Sequence, residues 1–347
     1  MNESWPICES AFKVTYHPIY RSAQFYSSLI LLTAVPPLTY FIFWKLIFST
    51  FHGNLKWVMT GYFASVLFFD SFFIIISLYQ TLIPYFAVDK CDLLIDKTFF
   101  KYAHIVAIIL LCSPMYFPFV IFIERLYATR NAESYERTPT ALGPILTLMT
   151  VICGILTIAF IYKDEEFIDP SISFAFIPST TALRMFTFYW SIFFVNIINF
   201  CLNLWLLREN RRLKKQTDSP LGVRYQLEEV YLSTKFAVSV IFIHIMFFGF
   251  YVSAVILVRY HGSAVFSDPT TVTAVRGAII SIMIPTYSFT TGVVAVYLYK
   301  RMQKKKFGEI RGNVQMKATG KDGAKNYDDA IFTAWNSWSS STSITMR

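Results

Sequence analysis

The sequence predicts an all-α membrane protein, a bundle of seven transmembrane helices with its N-terminus outside and its C-terminus inside. Three observations lead to this fold class. The 347 residues are 55% hydrophobic and only 15% charged, whereas soluble domains average about 25% charged residues. Seven apolar runs are long enough to cross a bilayer. Lys and Arg concentrate in the loops that alternate onto one side.

A membrane-spanning helix needs about 20 mostly apolar residues. The predicted helices cover residues 24–49, 57–80, 99–124, 143–162, 185–207, 232–258 and 275–299. Pro36-Pro37 interrupts the first helix, and Pro114 and Pro118 interrupt the third, so both helices should kink. Residues 1–23 form a predicted extracellular segment. Residues 300–347 form a polar, largely disordered cytoplasmic tail.

The orientation follows from the basic residues. The segments 50–56, 125–142, 208–231 and 300–311, with two flanking lysines, hold twice as many Lys and Arg as the opposite loops. This excess places them in the cytoplasm. Because the net charge of +9 is spread over short loops and the tail, it favours contact with anionic lipid heads over nucleic-acid binding. Asn2-Glu3-Ser4 lies on the outer side, so Asn2 is a predicted glycosylation site.

The five cysteines fall into two groups. Cys112, Cys153 and Cys201 lie inside predicted helices and are expected to be small buried hydrophobic residues. Cys8 and Cys91 lie on the predicted outer side, which is oxidising. Two alternatives follow for this pair, a disulfide that fixes the N-terminal segment to the mouth of the bundle or two free thiols.

Glu124-Arg125 stands at the predicted cytoplasmic end of the third helix. An Arg in this position can pair with its neighbouring carboxylate in one state and release it in another. The alternative is an ordinary Arg that extends towards the lipid head groups.

Several motifs occur in a fixed order along the chain. They are Cys8-Glu9-Ser10-Ala11-Phe12, Tyr16-His17-Pro18-Ile19-Tyr20-Arg21, Phe51-His52-Gly53-Asn54-Leu55-Lys56, Cys91-Asp92-Leu93-Leu94-Ile95, Glu124-Arg125 with Tyr135-Glu136, and Arg224-Tyr225-Gln226-Leu227-Glu228-Glu229-Val230. Together they resemble the nematode serpentine chemoreceptors of class beta (Srb), in the Sra superfamily of G-protein-coupled receptors. The resemblance runs from about residue 8 to residue 300.

The resemblance implies a receptor that binds an unknown small-molecule cue in the outer half of the bundle and activates a heterotrimeric G protein. It implies a multi-pass protein of the plasma membrane, in the ciliary or dendritic membrane of sensory neurons. Glu124 and Arg125 would form its G-protein switch. No cofactor is implied.

Polar residues inside the predicted helices are candidate functional residues. Asp70 and His244 are interpreted as an intramembrane polar network, with packing through hydrogen bonds as the alternative. The ligand-pocket candidates are Lys101, His104, Arg184, Tyr189, Trp190 and Tyr251. Each of them has a purely structural alternative. Asn196, Asn199 and Asn203 share one face of the fifth helix, a spacing more typical of helix packing.

Two other function classes are less consistent with the sequence. A seven-helix ligand-gated channel or transporter is the main alternative, but no charged ring or internal repeat indicates a pore. An enzyme is not expected because the sequence has no His-Glu-x-x-His, Gly-x-Ser-x-Gly or phosphate-loop motif. The scattered histidines do not predict a metal site.

Overall fold

The computed structural model describes residues 5–132, 134–168, 170–174, 176–214 and 221–314, with positions 320, 321, 324, 325, 328 and 332. Within residues 5–314 the chain forms eight α-helices. They are α1 Trp5–Thr15, α2 Pro18–Tyr40, α3 Gly53–Phe86, α4 Lys97–Arg130, α5 Leu142–Ile161, α6 Ser179–Lys214, α7 Leu221–Val265 and α8 Pro269–Val314. In the described residues, α2 to α8 are seven helices long and apolar enough to cross a membrane.

Short polar side chains begin three of the long helices. His52 Nδ1 accepts the Asn54 N–H at 3.3 Å at the start of α3. Asp96 accepts the Phe99 N–H at 2.9 Å at the start of α4, and Asp268 accepts the Thr270 N–H at 3.1 Å at the start of α8. These contacts satisfy backbone donors that have no partner within their own helix.

Helix α2 changes its geometry after Pro36-Pro37. The prolines lack the N–H groups that continue α-helical pairing, and the helix goes on as a π-helical turn over Phe41–Leu46. Phe41 of this turn packs against Phe63 of α3 and Phe236 of α7, with ring centroids 4.6 Å and 5.8 Å away. The interruption predicted from the prolines is therefore a widened turn rather than a broken helix.

The helices differ in extent from the predicted ranges. Helices α3, α4, α6, α7 and α8 are longer at both ends, because helical pairing continues into polar residues that a hydropathy window leaves out. Helix α2 begins at Pro18, inside the segment assigned to the extracellular side, and its π-helical turn ends at Leu46. Helix α8 continues to Val314, past the predicted end at 299. The Ser-rich part of the tail and Asn2 lie outside the described residues.

The chain divides into two compact units, Met1–Leu298 and Tyr299–Arg347, and the features below lie in the first. We call one end of this bundle the disulfide end. It contains α1, the 87–96 loop and the 162–178 loop, and the last two are joined by a bridge between Ile95 and Ser171. We call the other the arginine end, which contains Glu124, Arg125 and the 47–52 and 131–141 loops.

A close approach of backbones fixes the start of α5 against α3 at the arginine end. The Gly143 N–H donates to Asn54 Oδ1 at 3.0 Å. A Cβ added to Gly143 would lie 2.5 Å from the Asn54 carbonyl oxygen, so only glycine fits.

Candidate functional site

Arg125 and Glu124 form a buried ion pair near the end of α4. Arg125 Nε and Nη2 donate to the two carboxylate oxygens of Glu124 at 2.6 Å and 2.7 Å. Arg125 is 1% exposed and Glu124 is 0% exposed. An Arg extending to lipid head groups would leave its guanidinium exposed, whereas this one lies inside the bundle with both partners desolvated.

A second helix contacts this pair through a hydroxyl group. Arg125 Nη1 donates to Ser233 Oγ of α7 at 2.5 Å. Nearby, Val230 of α7 packs with Ala128 of α4 and Tyr135 of the 131–141 loop. Ser233 could not be recognised from the sequence, because nothing in a sequence shows which residue of a distant helix faces Arg125.

Tyr135 is a further contact of the pair. Its hydroxyl donates a short hydrogen bond to Glu124 Oε1, the oxygen that also accepts from Arg125 Nη2. Burial raises the pKa of Tyr135 above its ordinary value of 10, so the phenol is a donor at neutral pH. Tyr135 occurred in one of the quoted motifs, and that was the signal available for its role.

A crevice of about 200 Å³ opens beside the ion pair. Most of its lining residues have polar side chains, and they come from the 47–52 loop, α4, the 131–141 loop and the start of α7. The lining includes His52, Arg125, Tyr135, Glu136, Gln226, Glu229 and Ser233. Gln226 of α7 also donates to Glu136 at 2.9 Å. This hydrogen bond and the one between Arg125 and Ser233 therefore close the crevice at two points. A partner that separates α7 from the 131–141 loop would have to break these contacts.

The middle of the bundle contains a short polar chain. His244 Nδ1 lies 3.0 Å from the hydroxyl of Tyr287, which lies 2.7 Å from the hydroxyl of Tyr62. Asp70 is fully buried, and its carboxyl oxygens have no hydrogen-bond partner in the part of the chain that the structure describes. A charged carboxylate in this setting costs several kcal/mol, which favours a bound proton, water or cation at Asp70.

A small apolar cavity of about 50 Å³ lies next to this polar chain. It is lined by residues of α3, α4, α7 and α8, among them Phe69, Met115, His244, Tyr251 and Ser288. Of the six predicted pocket residues, Tyr251 lines this cavity. The volume is enough for one or a few water molecules, so a larger ligand requires the surrounding side chains to move.

His104 is held by the 162–178 loop at the disulfide end. Its Nδ1 lies 2.9 Å from the Phe174 carbonyl and its Nε2 lies 2.7 Å from the Tyr162 hydroxyl. A carbonyl can only accept, so Nδ1 carries the proton and Nε2 accepts from Tyr162. Because both of its ring nitrogens are hydrogen-bonded within the protein, His104 has the geometry of a structural histidine and not that of a ligand-binding one. Lys101, one turn earlier, is exposed and lies 6.0 Å from the Phe167 ring.

The three ligand-pocket candidates on α6 also lie in different surroundings. Arg184 is partly exposed and donates to Asp164 at 2.7 Å. Tyr189 is buried, with its ring at 6.1 Å from that of Tyr251. Trp190 is half-buried and stacks on Phe194, with ring centroids 5.3 Å apart. Tyr189 and Tyr251 are therefore the pair of predicted pocket residues that the structure brings together.

The 162–178 loop encloses a larger cavity of about 450 Å³. Carboxylates and aromatic rings line it, including Glu165, Glu166, Phe167 and Phe100. This cavity could not be predicted from the sequence because its wall is a loop without a regular pattern. It is the most spacious of the three cavities described here.

A disulfide joins Cys8 of α1 to Cys91 of the 87–96 loop. Beside it, Lys90 forms a short ion pair with Glu9, and this hydrogen bond lowers the pKa of Glu9. Tyr16 donates to the Pro84 carbonyl at 2.7 Å. These contacts hold α1 over the end of α3.

The chain is similar to known proteins over nearly its whole length. Residues 16–248 match the family model described as serpentine type 7TM GPCR chemoreceptor Srb. The chain is 47% identical to serpentine receptor class beta-15 of Caenorhabditis elegans, over 97% of this chain and 100% of that protein. It is 45% identical to serpentine receptor class beta-7 (96% and 95% covered) and 38% identical to class beta-3 (97% and 98% covered), both from the same organism.

Proposed function

Because the chain belongs to the Srb family of seven-transmembrane serpentine chemoreceptors, we propose that it is a chemosensory receptor coupled to a heterotrimeric G protein. A small molecule binds in the outer half of the bundle, and the arginine end then recruits the G protein. The protein acts in the plasma membrane, in the cilium or dendrite of a sensory neuron.

The observation that carries this proposal is the hydrogen bond from buried Arg125 to Ser233 of α7. Glu124 keeps Arg125 inside the bundle, and Ser233 ties it to the helix that borders the crevice. If α7 moves outward, this bond breaks and the crevice widens. A buried ion pair with an exchangeable hydrogen-bond partner on another helix is the kind of two-state element that a ligand can bias from a distance.

The ligand side of the proposal rests on Tyr189 and Tyr251, whose rings lie edge to face with centroids 6.1 Å apart, and of which Tyr251 lines the small cavity. Below them, His244, Tyr287 and Tyr62 lead towards the arginine end, with Asp70 on the same helix as Tyr62. We propose that ligand binding near the two tyrosines shifts this polar chain and so moves α7. Lys101, Arg184 and Trp190 lie nearer the mouth or the lipid, and His104 supports the 162–178 loop.

The orientation is part of the proposal. The excess of Lys and Arg supports an inner location for the arginine end, and the disulfide supports an oxidising, outer location for the other. Antibody labelling of tags at both termini, before and after permeabilising cells, tests this. Labelling of only the C-terminal tag on intact cells would contradict the proposed topology.

The switch can be tested without knowing the ligand. Ser233→Ala removes the partner of Arg125 on α7 and should raise ligand-independent nucleotide exchange on purified heterotrimers by about tenfold, the effect of one hydrogen bond to a charged group. Arg125→Gln also frees α7 but should abolish exchange at unchanged surface expression, because the released Arg125 guanidinium is itself proposed to contact the G protein. Ser239→Ala is the matched control, since Ser239 bonds only the Lys235 carbonyl of its own helix in the described structure. Equal exchange by all three variants and the wild type, across heterotrimers of every Gα class, would refute the coupling.

A further inference from the structure

Tyr135 and Arg125 meet on the same oxygen of Glu124. Tyr135 lies in the 131–141 loop and is 4% exposed, and its hydroxyl donates to Glu124 Oε1. Arg125 Nη2 donates to that oxygen at 2.7 Å. Two donors on one carboxylate oxygen restrict the side-chain torsion angles of the buried Glu124 more tightly than one donor does. The position of Glu124, and so of Arg125, depends on where the 131–141 loop places Tyr135.

The ring of His52 packs against the ring of Tyr135. The two ring centroids are 4.1 Å apart. The His52 ring is itself fixed, because its Nδ1 accepts the Asn54 N–H at the start of α3. Asn54 in turn donates to the Pro139 carbonyl at 3.4 Å and accepts from Gly143 at 3.0 Å. The 47–52 loop and the 131–141 loop therefore form one unit around the Tyr135 ring.

We propose that Tyr135 and His52 are positioning residues of the switch, which hold Glu124 in the arrangement that keeps Arg125 bound to Ser233. This rests on the proposed function. A G protein that displaces the 131–141 loop withdraws the Tyr135 hydroxyl from Glu124 and so loosens Arg125 without touching it. Coupling of this kind works in both directions, so opening of α7 also loosens the loop for the G protein.

The first test removes one oxygen atom. Tyr135→Phe should raise ligand-independent nucleotide exchange by about tenfold, because a hydrogen bond to a charged group is lost from the closed state alone. Tyr127→Phe is the matched control, since Tyr127 lies on α4 with its ring 6.1 Å from that of Tyr135 and is exposed. It should behave as the wild type.

The second test separates two roles of His52. His52→Ser can still cap α3 but lacks a ring, and should raise exchange by about threefold. His52→Phe keeps the ring without the cap and should stay near the wild type. In the Tyr135→Phe background, His52→Ser should add nothing, since both act through the same hydroxyl. The opposite ranking of the two His52 variants would mean that His52 only caps the helix, and would overturn its positioning role.

A distance measurement separates this inference from the G-protein proposal. Spin labels on Arg130→Cys and Lys235→Cys, both exposed positions, report the separation of α4 and α7 without any G protein when the free Cys112, Cys153 and Cys201 are replaced by Ser. Tyr135→Phe should shift the distance distribution towards longer values. If it shifts while no heterotrimer responds even to the wild type, the positioning role stands and the coupling fails. If the distances equal those of Tyr127→Phe, the positioning role is wrong, whatever the exchange rate.

Discussion

The two ends of the bundle are stabilised by different kinds of contact. At the disulfide end a covalent bond fixes α1 to the 87–96 loop, and both nitrogens of His104 are bonded to the 162–178 loop or its border. At the arginine end the helices meet through side-chain hydrogen bonds, and one of them joins Arg125 to α7. The first end resists rearrangement, whereas the second can exchange partners at the cost of a few hydrogen bonds.

This difference suggests how a signal crosses the molecule. If the loops of the disulfide end stay in place, a ligand can act only by moving side chains between the helices. The arginine end converts such movements into separation of α7 from α4. Variants that weaken the disulfide end should therefore lower stability without raising basal signalling.

The largest expected effect comes from the disulfide. Cys8→Ser combined with Cys91→Ser should lower the free energy of unfolding of the disulfide end by about 2–4 kcal/mol, since the bond closes a long loop. Thermal unfolding in detergent, followed with and without reductant, measures this loss. Cys153→Ser is the control and should leave the melting temperature unchanged, because Cys153 is a free thiol that lies exposed on α5 and not, as expected from the sequence, buried. A rise in basal nucleotide exchange in the double variant would contradict the division between the two ends.

His104→Phe should have a smaller effect at the same end. The new ring can still stack on Phe100, whose centroid lies 5.0 Å from that of His104, but the Tyr162 hydroxyl and the Phe174 carbonyl lose a buried partner. Each stranded group costs about 1–3 kcal/mol. Hydrogen exchange of the 162–178 loop should increase, with His261→Phe at an exposed position as the control. Unchanged exchange in this loop would mean that His104 does not support it.

The smallest effect is expected at the arginine end, from pH. Burial lowers the pKa of His52 below its ordinary 6.5, with Glu124, Arg125 and Glu136 as its charged neighbours. The neutral ring caps α3, so its stabilisation is complete above pH 6.5 and is lost as the pH falls through the lowered pKa. The melting temperature should fall less between about pH 7 and about pH 5 in His52→Ser than in the wild type. Equal slopes would exclude His52 as a contributor.

Much of the fold could be predicted from the sequence because the bilayer imposes strong rules. Seven apolar runs predicted seven spans, and the motif-based assignment to the Srb family is confirmed by the comparisons. The ion pair of Glu124 with Arg125 could be suggested because the two are adjacent. Its contacts with Ser233 and Tyr135 could not, because they depend on how distant segments pack. The same holds for Lys101 and His104. They lie one helical turn apart, yet Lys101 is exposed and His104 is buried.

The π-helical turn over Phe41–Leu46 has a consequence for the phase of α2. One extra residue in a turn rotates all later side chains by about 100° relative to a regular α-helix. Deleting a single residue there would restore regular pairing and turn the side chains that follow, among them the buried Leu46, away from their present neighbours. The turn thus sets which side chains at the end of the first membrane helix face the rest of the bundle.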